Sequence, residues 1–292
     1  MIEFDAVSKH YPGGSIAVNN FSLSVPARGT TVFVGSSGCG KTTLLRMVNR
    51  MVEPTSGRIL IDGQDIRDQN PVHLRRSIGY VPQAAGLLPH RSVLVNIATV
   101  PRLTGSSRRD ACARARDLLD VVGLDPSLGD RYPSELSGGQ QQRVAVARAL
   151  AAEPNILLMD EPFGAVDPIV RADLQQELLR LQDELDKTIV FVTHDIDEAF
   201  LLGDNVVIFR VGGEIAQVGT PEEILSAPAD DFVSDFVGLG RGNRTLRIQE
   251  RHGVKVVVDS HGRAAGILDG GVSAGPGGAN ATPTAHEQDG SA

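Results

Sequence analysis

Residues 35–42 read Gly-Ser-Ser-Gly-Cys-Gly-Lys-Thr, the spacing G-x-x-x-x-G-K-[ST] of a phosphate-cradling loop. Gly35, Gly38 and Gly40 let the backbone curl so that its N–H groups point inward at phosphate oxygens. A helix starting here would add a partial positive charge. Ser36, Ser37, Cys39 and Thr43 complete the candidate phosphate cradle. Lys41 is placed to reach the β- and γ-phosphates of a nucleotide, and the Thr42 hydroxyl to ligate Mg²⁺. The flanks give this pattern a context. Thr30–Val34 is an apolar, β-branched run that reads as a buried strand, and Leu44, Leu45, Val48 and Val52 fall at helical spacing over 41–52.

A second set of residues carries complementary chemistry. The apolar run 155–159 ends in Asp160-Glu161, and an apolar strand ending in Asp is the metal-holding half of a phosphate-loop ATPase site. Glu161, one residue on, faces elsewhere and is placed to take a proton from an attacking water. The run Thr188–Thr193 delivers His194 at the carboxyl end of another buried strand, where α/β sheets bind ligands. There it reads as a γ-phosphate contact. Gln83 follows the strand Ile78–Val81 and is either an ordinary polar loop residue or an amide that ligates Mg²⁺ or orients water. Tyr11, in the turn-rich stretch 9–14, is either folded onto the core or a ring that stacks on a purine.

Ser137-Gly138-Gly139-Gln140 opens a helix expected to run to about residue 152, with Ser137 as N-cap. Two glycines at a helix start make a second anion site, built like the first. Two such loops on separate lobes cannot grip one nucleotide within one chain. A head-to-tail dimer, in which each phosphate loop is closed by the partner's Ser-Gly-Gly turn, resolves this.

The elements that must position these groups alternate between strand and helix, so the fold class is α/β. The expectation is a mainly parallel phosphate-loop sheet, an antiparallel β subdomain and a helical subdomain carrying 137–140. Residues 2–7 read as an edge strand, and Arg58–Ile61 and Ile78–Val81 as strands of the antiparallel region, with a polar segment 62–76 between them. Val93–Val100 reads as one apolar helical stretch, and 108–122 as a helix with Ala111, Ala115, Leu118, Leu119 and Val122 on one face. Leu87, Leu88 and Pro89 belong either to a loop buried on its own domain or to a docking surface for a partner.

Composition narrows the function further. The 292 residues are 41% hydrophobic, enough for a full core, with no run approaching the ~18 apolar residues of a membrane span. The net charge of −8 argues against an extended nucleic-acid footprint, and Arg75-Arg76 and Arg108-Arg109 read as solvated faces. Two cysteines, Cys39 and Cys112, give no disulfide framework and suit a reducing compartment. The acidic N-terminus lacks the features of a signal peptide.

Taken in order, these motifs make residues 1 to about 240 resemble the nucleotide-binding subunits of ABC (ATP-binding cassette) transporters. The phosphate loop, Leu136–Gln140 as the signature, Asp160-Glu161 and the switch histidine His194 all stand in the family's order. The resemblance implies that Gln83 is the Q-loop residue and Tyr11 the adenine-stacking aromatic. Gly164-Ala165-Val166-Asp167 resembles the D-loop, with Val166 where Leu is usual and Asp167 kept. Arg46–Arg50, Glu53–Gly57, Ile78–Gln83 and Gly86–His90 resemble importers of quaternary-amine osmoprotectants such as glycine betaine, choline, carnitine or proline betaine.

That resemblance implies ATP and Mg²⁺ as cofactors, a second copy and membrane permease subunits as partners, and an extracytoplasmic substrate-binding protein acting indirectly. It implies a peripheral place on the cytoplasmic face of the membrane. Amino acids, sulfonates or metals are rival cargoes. A soluble relative in DNA repair disagrees with the absence of coiled coil in the roughly 95 residues between the loops, and a translation ATPase disagrees with a single cassette. Residues 241–269, with Val254–Leu268 reading strand–turn–strand, are expected to be either a degenerate regulatory CBS-like piece or an added β-hairpin. The Gly-, Ala- and Pro-rich stretch 270–292 is expected to be disordered.

Overall fold

The computed structural model describes residues 1–164, 166, 168–185, 187–240, 244, 246–251, 254–258 and 263–267. The chain divides into two compact units, Met1–Gly240 and Arg241–Ala292.

The first unit opens with β1 (Ile2–His10) and β2 (Ile16–Val25), and β3 (Gly29–Gly35) leads through the glycine loop into α1 (Lys41–Val48). Then come β4 (Ser56–Ile61), β5 (Gln64–Asp65), α2 (Pro71–Ser77) and β6 (Ile78–Val81). A helical region follows, made of α3 (Val93–Ile97), α4 (Thr99–Leu103), α5 (Arg108–Val121) and α6 (Gly138–Leu150). The chain returns with β7 (Ile156–Asp160), α7 (Pro168–Leu185), β8 (Thr188–Thr193), α8 (Ile196–Leu202), β9 (Asn205–Phe209) and β10 (Ile215–Gly219). The helices α9 (Pro221–Ser226) and α10 (Asp231–Phe236) close the unit.

The main sheet has the order β10-β9-β3-β8-β7-β6, parallel except for β10. The β-branched run Val32–Val34 is fully buried in β3, and every residue of β7 and β8 is buried, as in-line strands covered on both faces must be. A second sheet, β2-β1-β4-β5, is antiparallel. Aromatic packing links the two. Phe21 of β2 stacks on Phe209 of β9 at 5.7 Å, and Phe33 of β3 meets Phe209 edge-on at 5.2 Å. The α/β class, with parallel and antiparallel sheets and a helical subdomain, therefore holds.

Several local expectations are corrected. Ile78–Val81 does not join the antiparallel region; it is the outer strand of the parallel sheet, paired with β7. The polar segment before it holds the crossover helix α2, announced by Asn70-Pro71. Asn70 Oδ1 accepts the N–H groups of Val72 at 2.9 Å and His73 at 3.3 Å. Gly79 is required where β6 meets α6, since a Cβ there would lie 2.7 Å from the Ala149 carbonyl oxygen. β1 is not an edge strand but lies between β2 and β4; register shifts after Phe4 break the alternation that made it look half-solvated.

α1 ends at Val48, not Val52, because Asn49 caps it and Arg50 takes φ +55°. Arg75 is exposed, as its solvated reading expects, and it also donates to the Asn49 and Arg50 carbonyls at this helix end, at 3.2 and 2.5 Å. The stretch 93–100 is two short helices, not one. Pro101 has no N–H with which to continue the first.

Among the described residues no helix is long and apolar enough to cross a membrane. The second unit is a three-stranded antiparallel sheet of β11 (Arg247–Arg251), β12 (Val254–Val258) and β13 (Ala264–Ile267), in that order. The strand β11 escaped the sequence reading because its Arg, Gln and Glu residues hide any apolar period. The expectations for 268–292 fall outside the described residues.

Candidate functional site

The glycine loop does what its sequence requires. Gly38 and Gly40 take φ +81° and +106°, and a Cβ on Gly40 would fall 2.4 Å from the Ala17 carbonyl oxygen. No side chain caps the start of α1, so its first N–H groups face the loop. Lys41 is 4% exposed and folds over the loop, its Nζ donating to the carbonyls of Gly35 at 2.7 Å and Ser36 at 3.0 Å. The resulting cleft is lined by Ala17, Ser37, Gly38, Gly40, Lys41, Thr42, Thr43, Gln83 and Glu161.

Two carboxylates leave the end of β7 with different partners. Asp160, 2% exposed, accepts the Thr42 hydroxyl at 2.7 Å on Oδ1. Its Oδ2 accepts Arg46 Nη2 at 3.2 Å and the Tyr80 hydroxyl at 3.4 Å. Burial pushes the Tyr80 phenol up, which keeps it a donor. Burial opposes the Arg46 charge, but Tyr80 and Asp160 outweigh that and hold it above the ordinary guanidinium value.

Glu161 turns away through φ +45°, with its N–H donating to the Val192 carbonyl at 2.9 Å. Its Oε2 accepts Gln83 Nε2 at 3.2 Å and lies 3.2 Å from His194 Nδ1. The parallel register places these groups together: Tyr80 and Val81 pair with Leu158 and Met159, and Asp160 pairs with Val192.

The structure thus gathers Lys41, Thr42, Gln83, Asp160, Glu161 and His194. Thr42 Oγ1, Asp160 and the Gln83 amide oxygen are hard oxygen donors of the kind Mg²⁺ takes, two of them already 2.7 Å apart. Among the described residues no group of three His, Cys, Asp or Glu competes for a metal. The donor set fits Mg²⁺ that keeps waters and phosphate oxygens as its remaining ligands.

Other expected residues stand apart. None of Ser137, Gly138, Gly139 and Gln140 lines the loop cleft. They form a complete capping box at the start of α6: Ser137 Oγ accepts the Gln140 N–H at 3.2 Å, and Gln140 Oε1 accepts the Ser137 N–H at 2.9 Å. Tyr11 is 39% exposed, with Lys9 Nζ 5.2 Å from its ring centroid, so it is not folded into the core. Asp167 lies outside the described residues. Sequence reasoning missed Arg46 and Tyr80. Arg46 had one signal, its place four residues after Thr42 and so on the same face of α1.

The segment after Gln83 divides. Leu87 packs partly against the core, while Leu88, 38% exposed, lines a groove with Arg91, Val95, Arg102, Leu103 and Arg108. The fully buried Asn96 holds the segment in shape, accepting the Leu88 N–H at 2.7 Å and donating to the Leu88 carbonyl at 3.1 Å.

Beyond His194, Asp195 caps α8 and Glu198 is 6% exposed, accepting Gln175 Nε2 at 3.0 Å. Burial raises the Glu198 carboxyl above its ordinary value; Asp195 adds to this and Arg171 opposes it. The folded state therefore holds this proton more tightly than the unfolded chain. Stability is lost as pH rises from the ordinary glutamate range through the raised value. Glu198→Gln keeps the acceptor and removes the charge. Its melting temperature should exceed that of the parent by about 2–4 °C at pH 7, with the gap closing near pH 4, as read by calorimetry.

With this geometry in place, comparisons bear on descent. The family model described as ABC transporter matches residues 18–164. A choline transport ATP-binding protein of Bacillus subtilis is 55% identical over 241 residues, which is 82% of this chain and 63% of that protein. A glycine betaine uptake system ATP-binding protein of Escherichia coli is 48% identical over 266 residues, 91% of this chain and 85% of that one. The chain spans about three fifths of the length of several of its curated relatives. Among solved structures, an ATP-binding cassette in a dimeric post-hydrolysis state with ADP and Pi superposes with a TM-score of 0.69 at 33% identity, covering 75% of this chain and 98% of that one.

Proposed function

The chain belongs to the ABC transporter family, and from that premise we propose that it binds and hydrolyses ATP to energise an importer of quaternary-amine osmoprotectants such as glycine betaine or choline. The observation that carries the ATPase reading is the convergence of Gln83 and His194 on one oxygen of Glu161, beside a loop whose Thr42 is bonded to Asp160. The osmoprotectant reading rests on relatives 48–55% identical whose names specify choline, carnitine or glycine betaine transport.

In this reading the loop N–H groups and Lys41 hold the β- and γ-phosphates, and Tyr11 stacks on adenine. Mg²⁺ held by Thr42, Asp160 and Gln83 would neutralise phosphate charge. Two copies close head to tail, a reading supported by a relative solved as a dimer, and Ser137, Gly138, Gly139 and Gln140 of each cover the other's γ-phosphate, with Asp167 at the junction. Water attacks the γ-phosphorus, the bond to ADP breaks, and the water's proton passes to Glu161. His194 orients the Glu161 carboxylate and steadies the γ-phosphate.

Residues 1–240 are the cassette, 241–269 a short added module and 270–292 a tail. The protein sits at the cytoplasmic face of the membrane, bound to permease subunits through the Leu88 groove, and receives cargo indirectly from an extracytoplasmic binding protein. The apolar floor and three arginines of the groove suit a permease segment that is apolar on one side and acidic at its rim.

Reconstitution with the permease and binding protein tests this. Glycine betaine, choline or carnitine should stimulate ATP hydrolysis while amino acids and sulfonates do not; the reverse would move the cargo to another class. Replacing both Arg102 and Arg108 by Glu should remove co-purification of the permease and leave the isolated subunit's basal hydrolysis within about twofold, since both lie on the groove and not in the loop cleft.

A further inference from the structure

The pairing of Asp160 with Arg46 contains more than a structural salt bridge. Asp160 is 2% exposed, and an ionised carboxylate so deeply buried must be matched by a cation. Thr42 and Tyr80 offer it only neutral hydroxyls; among the described residues, the one full positive charge bonded to it is Arg46. A guanidinium cannot shed its proton to relieve the pairing, so it either stays or moves.

Arg46 is seated to move. Its hold on Asp160 is a single bond of 3.2 Å, not the two-pronged clasp of which a guanidinium is capable. Its Nε is buried with no partner, a poorly satisfied seat that favours another rotamer. Its side chain is 43% exposed, so solvent is directly available to the displaced head.

We propose that Arg46 is the built-in counter-ion of Asp160, which a divalent cation must displace, and that it thereby weakens and sets metal affinity at the nucleotide site. The physical basis is competition. One negative charge shared between a guanidinium and a divalent cation leaves both under-compensated, and a guanidinium left in place on Oδ2 repels the incoming metal. Arg46 is thus a positioning residue whose effect on the metal is opposite to that of Thr42. This rests on the nucleotide-site reading above, and its test separates the two.

The experiment titrates Mn²⁺ by electron paramagnetic resonance into full-length protein saturated with ADP, beside ADP binding in EDTA. Arg46→Gln removes the charge, and Mn²⁺ should bind at least about fivefold more tightly; Arg46→Lys keeps a competing cation and should stay within about twofold of the parent. Equal or weaker Mn²⁺ binding in Arg46→Gln overturns the proposal, because a residue that merely holds the Asp160 rotamer would lose affinity on removal. Absence of ADP binding by the parent protein in EDTA overturns the nucleotide reading itself. A variant that failed to fold would leave the parent as probe. Its Arg46 Nε–H resonance should shift to a solvent-like position as Mg²⁺ is added with ADP, and an unmoved resonance contradicts displacement.

Discussion

A Glu161→Gln variant should hydrolyse ATP at least about 100-fold more slowly than the parent, while still binding ATP and remaining dimeric once ATP is bound. The substitution is nearly isosteric. Its amide oxygen still accepts from Gln83 and still faces His194, both 3.2 Å from Oε2 in the parent, so the cleft keeps its shape. Only the capacity to take a proton disappears. Because product formation reopens the proposed dimer, the variant should accumulate in the closed form. Steady-state phosphate release and size-exclusion chromatography with ATP measure the two halves. Parental turnover would remove Glu161 from its proposed role, and a variant that stays monomeric with ATP would remove the dimer.

The second large effect is expected at Gly40. An alanine there must adopt φ +106° and push its Cβ to within 2.4 Å of the Ala17 carbonyl oxygen, which is backbone and cannot swing aside. Strain of this kind costs about 1–3 kcal/mol, and relief of it would pull the loop from β2 and misdirect its N–H groups. Gly40→Ala should lose at least about 100-fold in affinity for a fluorescent ATP analogue, and its melting temperature should fall by several degrees, about 2–4 °C for each kcal/mol. Gly38 is the internal control. It also has positive φ, +81°, but a Cβ there meets nothing within 4 Å. Gly38→Ala should therefore lose about 1 kcal/mol of stability and much less affinity. Equal behaviour of the two variants would show that the approach of Ala17 is unimportant.

The parts of the site legible in the sequence are those where backbone chemistry leaves little choice. A loop of three glycines ahead of Lys-Thr has one common use, and an apolar run ending in two acids places both at a sheet edge. His194 followed from the same logic. The sequence missed what depends on neighbours distant in the chain. Tyr80 looks like one more aromatic in an apolar strand; only the parallel pairing of β6 with β7 brings it to Asp160. Ile78–Val81 was assigned to the wrong sheet because a four-residue strand carries no sign of its partner's direction. Arg75 is exposed, as read, but charge alone did not show that its guanidinium reaches a helix end. Segment ends were the weakest readings, since Arg50 entering a left-handed conformation stops α1 with no glycine or proline to announce it.

One partner of the shared acceptor at Glu161 lies only a short length of chain from the molecule's exposed groove. Gln83 is the second residue after the outer strand β6, and the chain reaches the exposed groove at Leu88 five residues later. A pull on that short tether would draw the Gln83 amide away from Oε2 and leave His194 as the remaining contact on that oxygen, so movement at the groove would be felt in the cleft without any change in which residues touch the nucleotide.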